Sequence, residues 1–327
     1  MTSDLKKRII ELTRKDLEKV EIALENHLDP NLELVREIAS HLLFSGGKRL
    51  RPLLMIHSAR LCGYTGGYEI EFSTLFEYLH AATLLHDDVV DKADTRRGKK
   101  AAHIQWSAPK VVLTGDFLLA RALDLAARTR QPDIVTVIAG ITGDMSQGEI
   151  NQLEKKGKLD LTEEEYLDVI EKKTAVLIQG ACHSGAILAG ASQKKQDALK
   201  QYGFHTGMAF QMADDLLDYT GTKEALGKIP GADIREGKLT LPVIYSLAHA
   251  SPEDRAWMEK IITDPVFKPT AFERFTEKLI QYKGIDYTRQ CAQVHVQKAV
   301  QYLEAFEDGP SKEILGLIAR YSIERKV

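Results

Sequence analysis

The sequence predicts an all-α protein built as one domain over residues 1–327. Apolar residues recur at helical spacing from one end of the chain to the other. Alternating β-branched runs joined by Asn-Gly or Asp-Gly turns are absent, and no stretch rich in Pro, Gly or Ser divides one periodic region from the next. With 327 residues, 44% of them hydrophobic and 28% charged, the chain has enough apolar material for a large core.

The opening MTSDLKKRIIELTRKDLEKV mixes charges with apolar positions at helical period and lacks the uncharged core of a signal peptide, so it reads as a surface helix of a cytoplasmic protein. Breaks at residues 28–31, 44–52, 62–68, 94–103, 129–133, 155–162, 220–242, 250–254 and 263–270 leave about ten or more helices of three to five turns. Thr162 with Glu165 three residues on is a capping box, which starts the helix in DLTEEEYLDVIEKKTA. Residues 175–191, AVLIQGACHSGAILAGA, contain Gln179, His183 and Ser184 and are short for a membrane span. They read as a core helix whose small residues let neighbours approach, and no transmembrane segment is predicted elsewhere. Residues 220–242 are long for a loop in a compact domain, as lids and binding loops often are.

Charge and cysteine usage narrow the function. A formal charge of -3 provides no global basic field, so nothing points to a nucleic-acid partner and any bound anion is held by local clusters. Cys62, Cys182 and Cys291 are odd in number and lack metal-type spacing, consistent with a reducing compartment.

Two acidic clusters carry the chemistry. HDDVVD places Asp87, Asp88 and Asp91 in an otherwise apolar helix, with Asp87 and Asp91 on one face and Asp88 about 100° round. FQMADDLLDY repeats the spacing with Asp214, Asp215 and Asp218. Carboxylates this close repel one another in an apolar setting unless a cation sits among them. Oxygen-only donors suit Mg²⁺ or Mn²⁺ with waters and a phosphate completing the shell, and His86 reads as a neutral residue packed behind the acidic face. Cations for phosphate are present too. SGGKRLRP sets Lys48, Arg49 and Arg51 after two glycines and before a helix, and DTRRGKK adds Arg96, Arg97, Lys99 and Lys100 just beyond Asp91.

GGKRLRP, HDDVVD with RRG, and FQMADDLLD with LGK and EGKLTLP, in that order, resemble the motif set of the trans-prenyltransferases, the head-to-tail isoprenyl diphosphate synthases. The resemblance runs from about residue 35 to the end. It implies a single helical bundle around a deep central cavity, usually paired as a homodimer. It assigns Lys48, Arg51, His80 and Arg97 to the diphosphate of isopentenyl diphosphate and Arg96 to that of the allylic partner. Lys173, Thr174, Gln211, Lys228 and Lys238 fall to the remaining allylic contacts. The six aspartates, Asp87, Asp88, Asp91, Asp214, Asp215 and Asp218, would share up to three Mg²⁺ with the allylic diphosphate, and no position departs from the pattern.

The implied reaction is ionisation of the allylic diphosphate, addition of the isopentenyl double bond to the resulting cation, and loss of a proton to the departed diphosphate, with water excluded. In this family the side chains four and five residues before the first aspartate face the growing tail. Thr83 and Ala82 are small, so the tail is expected to pass a further helical turn, about 5.4 Å, towards Leu79, Phe76 and Leu75 as floors. The expected product is long, C30 or beyond and within reach of octaprenyl, and its release leaves room for peripheral contact with a membrane. Rival readings are a farnesyl or geranylgeranyl diphosphate synthase, a non-catalytic partner subunit, and a terpene cyclase. A subunit of that kind would be expected to have lost part of the acidic or basic set. A cyclase needs no GGKRLRP to hold a second diphosphate.

Overall fold

The computed structural model describes residues 2–221, 230–264, 266 and 268–324. Helices dominate. The first half contains α1 (Thr2–Leu28), α2 (Glu33–Leu43), α3 (Leu50–Leu61), α4 (Glu69–Val90), the short α5 (Ala102–Trp106), α6 (Ala108–Arg128) and α7 (Pro132–Lys155). There follow α8 (Glu163–Ile170), a π-helical turn (Glu171–Ala175) that runs straight into α9 (Val176–Leu188), and the long α10 (Gln193–Thr220). The chain ends with a single turn (Ala232–Arg235) and α11 (Leu241–His249), α12 (Pro252–Ile262), α13 (Pro269–Gln281), α14 (Gly284–Tyr302) and α15 (Pro310–Tyr321). The all-α expectation holds, and the capping box at Thr162 and Glu165 is formed in both directions.

The core lies between the long helices. Val20 and Leu24 of α1, Phe72 and Phe76 of α4, Leu118 of α6, Ile138 of α7 and Leu177 of α9 belong to one buried apolar cluster. A second gathers α10 with α11 to α14 around Met212, Phe275 and Ile285. Most of the small-residue stretch 175–191 is the core helix α9, as expected. A Cβ added at Gly185 would stand 2.5 Å from the Met55 carbonyl oxygen, so α9 and α3 meet backbone to backbone. No helix among the described residues is long and apolar enough to cross a membrane.

Two features depart from the sequence reading. Residues 95–100 form a small antiparallel hairpin, with Thr95 opposite Lys100 and Arg96 opposite Lys99. Its two turn residues, Arg97 and Gly98, both have positive φ, 51° and 76°. This is the handedness that a two-residue hairpin turn requires, reached with Arg-Gly in place of Asn-Gly. The second departure is Arg49, expected to converge on an anion. It is buried, 4% exposed, and its guanidinium bonds Glu21 of α1 (2.7 Å), Glu77 of α4 (3.1 Å) and the Leu43 carbonyl oxygen (2.7 Å). A buried cation held by two carboxylates is a structural rivet that pins the basic turn to two helices, and removing Glu77, its buried partner, would cost about 3–5 kcal/mol.

Candidate active site

One cavity of about 800 Å³ collects most of the residues singled out in the sequence. On α4, residues spaced by three or four share a face, and His80, Thr83, Leu84, Asp87 and Asp91 all line that cavity. Asp88, rotated off that face, does not reach it. It is buried at 1% exposed, and its Oδ1 accepts hydrogen bonds from Arg96 Nε at 2.8 Å and from a terminal nitrogen of the same guanidinium. Thus Asp88 anchors the Arg96–Arg97 hairpin over the end of α4, and Arg96, itself on the cavity wall, is tied to it.

The second cluster divides the same way. Asp214 and Gln211, three apart on α10, face the cavity. Asp215 lies behind them in a side pocket of about 150 Å³, its Oδ2 bonded by the Tyr166 hydroxyl (2.6 Å) and its Oδ1 by Gln211 Nε2 (2.8 Å). Thr174 Oγ1 donates to Gln211 Oε1 at 2.8 Å, completing a chain Thr174–Gln211–Asp215–Tyr166. Asp218 is buried and its Oδ2 accepts the Asp233 backbone N–H at 3.0 Å, which ties α10 to the turn at Ala232–Arg235.

The cations surround this acid. Arg51, Arg96, Arg97, Lys173 and Lys238 line the cavity. Arg51 Nε is buried without a hydrogen-bond partner, which suits a guanidinium meant for an anion. Arg97 donates to the Leu42 and Gly46 carbonyl oxygens, joining the hairpin to the glycine turn. Lys173 is paired with Glu149 (2.5 Å) and Lys238 with Glu236 (2.6 Å). Lys48 is exposed and is not on the cavity wall; its Nζ lies 5.1 Å from the centre of the Tyr321 ring. Lys228 lies outside the described residues. His86 packs behind the acidic face as expected, with Nε2 3.0 Å from the Val112 carbonyl oxygen.

Electrostatics follow from burial. Burial first, then Glu149 and Asp91, push the Asp87 carboxyl up to about 6 against the pull of Lys173 and Arg96. Asp215 is likewise raised to about 6, by burial above all and by Asp214 and Asp218, with Tyr166 and Gln211 opposing. Burial and four surrounding arginines hold His80 well below its usual range, so it is neutral and donates a single N–H.

The chain-length positions divide between cavity and core. Thr83 lines the cavity, but Ala82, one residue and about 100° away on α4, does not. It belongs to the same buried cluster as Leu79 and Phe76. Those three side chains form closed core, and the apolar part of the cavity wall is instead Leu84, Met145, Leu177 and Phe210.

Three contributors escaped the sequence reading. The π-helical turn carries Lys173 and Thr174 to the same wall, and no residue pattern announces such a turn. Glu149 of α7 lies outside every motif singled out in the sequence, in a helix that also carries Asp133, Asp144, Glu154 and Lys155. Tyr166 of α8 also lies outside those motifs, one residue past the capping-box Glu165. We expect Tyr166→Phe to lower turnover or divalent-metal affinity about 10–100-fold while leaving the melting temperature near wild type. Metal titrations of activity beside a thermal melt check this, and an unchanged metal dependence would show that Asp215 needs no support.

Among the described residues, no three carboxylate, thiol or imidazole side chains converge to cage a metal by themselves. The donors nonetheless fit a hard cation that borrows oxygens from its ligand. Asp87, Asp91 and Asp214 share one cavity, and Asp91 Oδ1 is buried without a hydrogen-bond partner.

Known proteins share this sequence and fold over most of their length. Residues 32–279 match the polyprenyl synthetase family. Octaprenyl diphosphate synthase of Escherichia coli is 35% identical over 97% of this chain and 98% of its own length. A short chain isoprenyl diphosphate synthase of Methanothermobacter thermautotrophicus is 34% identical over 97% of this chain and 99% of its own. A polyprenyl synthase from Caulobacter crescentus, solved with calcium and isoprenyl diphosphate, superposes with a TM-score of 0.93 at 36% identity, covering 98% of each chain. With full-length kinship of this kind behind the acid-and-arginine cavity, the chain belongs to the polyprenyl synthetase family and is a prenyltransferase, a trans-prenyl diphosphate synthase.

Proposed function

We propose that the protein condenses isopentenyl diphosphate with an allylic diphosphate, in the presence of Mg²⁺, to make a long-chain all-trans polyprenyl diphosphate of C30 or more. The observation that carries this is the single cavity in which Asp87, Asp91 and Asp214 face Arg51, Arg96, Arg97, Lys173 and Lys238. Opposed sets of fixed charge of this kind suit a polyanion that arrives with its own cations.

The residues divide the work. Asp87, Asp91 and Asp214 would hold Mg²⁺ or Mn²⁺, with the diphosphate and water supplying the other oxygens, as is usual for Mg²⁺. Asp88, Asp215 and Asp218 act one step back, fixing Arg96, the Tyr166–Gln211 chain and the Ala232–Arg235 turn. When bound, the metal neutralises charge on the leaving diphosphate. Arg96, Lys173, Thr174, Gln211, Lys228 and Lys238 hold the allylic diphosphate, and Arg51, Arg97 and His80, with Lys48 swung in from Tyr321, hold the isopentenyl one. The side chains of Leu84, Met145, Leu177 and Phe210 keep water from the allylic cation. The departed diphosphate takes the proton.

Long products are supported by small Thr83 on the wall and by the octaprenyl relative. A shorter product, farnesyl or geranylgeranyl diphosphate, is the second reading, favoured by the closed packing of Phe76, Leu79 and Ala82 in the core. Pairing as a homodimer is supported by an exposed apolar face on α6 and α7. Leu113 (67% exposed) and Leu123 lie along one helix, and Val135 and Ile150 (60%) along the other. Three free cysteines suit a cytoplasmic setting. A single domain is supported by the cavity wall, which draws on residues from Arg51 to Lys238.

The purified chain, given labelled isopentenyl diphosphate and each allylic primer in turn, should incorporate label only with divalent metal and yield products of C30 or more on reversed-phase chromatography. No turnover by the chain alone would turn the reading towards a partner subunit, and products that stop at C15 or C20 towards the short-chain synthase.

A further inference from the structure

Glu149 stands in the wall of the cavity beside the cation expected to grip the allylic diphosphate. Its Oε2 is 2.5 Å from Lys173 Nζ, and both side chains are half-buried or better, 16% and 26% exposed. Backbone packing fixes the pair. A Cβ added at Gly148, the residue before Glu149, would meet Lys172 Cβ at 2.8 Å and the Lys173 backbone nitrogen at 2.9 Å, so α7 and the π-helical turn lie in direct contact. Glu149 is therefore held against Lys173 by main-chain geometry rather than by a chance encounter of long side chains. The pair also sits within electrostatic range of Asp87, which Glu149 repels and Lys173 attracts.

We propose that Glu149 is a positioning residue that occupies Lys173 in the free enzyme and gives it up only when diphosphate and divalent cation arrive together. A bare diphosphate that took Lys173 would leave Glu149 unpaired in a partly desolvated wall, facing Asp87. A divalent cation held at Asp87 would offset that penalty, because it places positive charge on the carboxylate that Glu149 faces. Ion-pair exchange of this kind couples the two ligands: each binds more tightly once the other is present, by the same factor. The site thereby refuses diphosphate that lacks its metal. The inference rests on the reading of Lys173 as a diphosphate ligand.

Calorimetric titration with inorganic diphosphate in EDTA tests both statements separately. Glu149→Gln and Glu149→Ala should bind it about 10-fold more tightly than wild type, because Lys173 is released in advance, whereas Lys173→Gln should bind it more weakly. The gain in affinity on adding Mg²⁺ should be smaller in the Glu149 variants than in wild type. A Glu149 that merely supported the fold would weaken binding on substitution, so the sign of the change decides. If Lys173→Gln weakens binding while neither Glu149 variant tightens it, the exchange is overturned and the reading of Lys173 stands. If Lys173→Gln leaves binding unchanged, that reading fails.

Discussion

Asp87→Asn should reduce turnover by about 10²–10³-fold or more and at the same time make the metal-free protein harder to melt. The first effect follows from removing one charged oxygen donor from a cavity whose task is to neutralise a leaving diphosphate. The second follows from the work of keeping that carboxylate charged. Its folded value near 6 lies above the ordinary carboxylate value, because burial, Glu149 and Asp91 outweigh Lys173 and Arg96. A group raised on folding contributes its stability at low pH and loses it as pH climbs through the folded value. At pH 7.5 the charged side chain is thus a liability, and a neutral isostere recovers about 1–2 kcal/mol after allowance for solvent screening. Between pH 6 and pH 4 the advantage of the variant should shrink, since the native carboxyl is then protonated and resembles the amide. Thermal melts in EDTA across that range, beside activity in Mg²⁺, check both halves. A variant that is inactive and also less stable at pH 7.5 would mean that Asp87 is held by attractions not evident in the cavity.

The same distinction between pattern and packing explains how much of the protein could be read from its residues. Helical periodicity was enough for the all-α class, and the aspartate spacing was enough to mark α4 and α10 as the two acidic walls. The spacing also separates cavity from core, since Asp87 and Asp91 share a face that Asp88 leaves; the pairing of Asp88 with Arg96 is that rotation made visible. Arg49 was not legible in this way. In GGKRLRP it looks like its neighbours, and only the left-handed backbone at φ 47° turns it inward to Glu21 and Glu77. The π-helical turn was equally silent, because it depends on how Glu171–Ala175 lies against α7 rather than on its own composition. Glu149 and Tyr166 share that fate: each matters through a partner distant in sequence, Lys173 in one case and Asp215 in the other.

Thr83→Phe and Ala82→Phe, adjacent and similar on paper, should act in different ways. Thr83 lies on the cavity wall one turn before Asp87, on the face that continues to His80. An aromatic ring there projects into the path of the tail and should shorten the main product by at least one C5 unit, with the melting temperature little changed. Ala82 is 4% exposed and shares a buried cluster with Phe76, Leu79 and Leu118. A ring there enters packed core, so the expected effect is overpacking, a loss of about 1–3 kcal/mol and a lower melting temperature, with any change in product arising only through distortion of α4. Product chromatography paired with thermal melts separates the two. Should Ala82→Phe fold with wild-type stability and truncate the product cleanly, the layer of Phe76, Leu79 and Ala82 must open into a channel when substrate binds, and the tail would run through it rather than past Thr83 alone. Should Thr83→Phe leave the product length untouched, the tail does not follow the α4 wall, and the apolar route along Met145, Leu177 and Phe210 becomes the ruler.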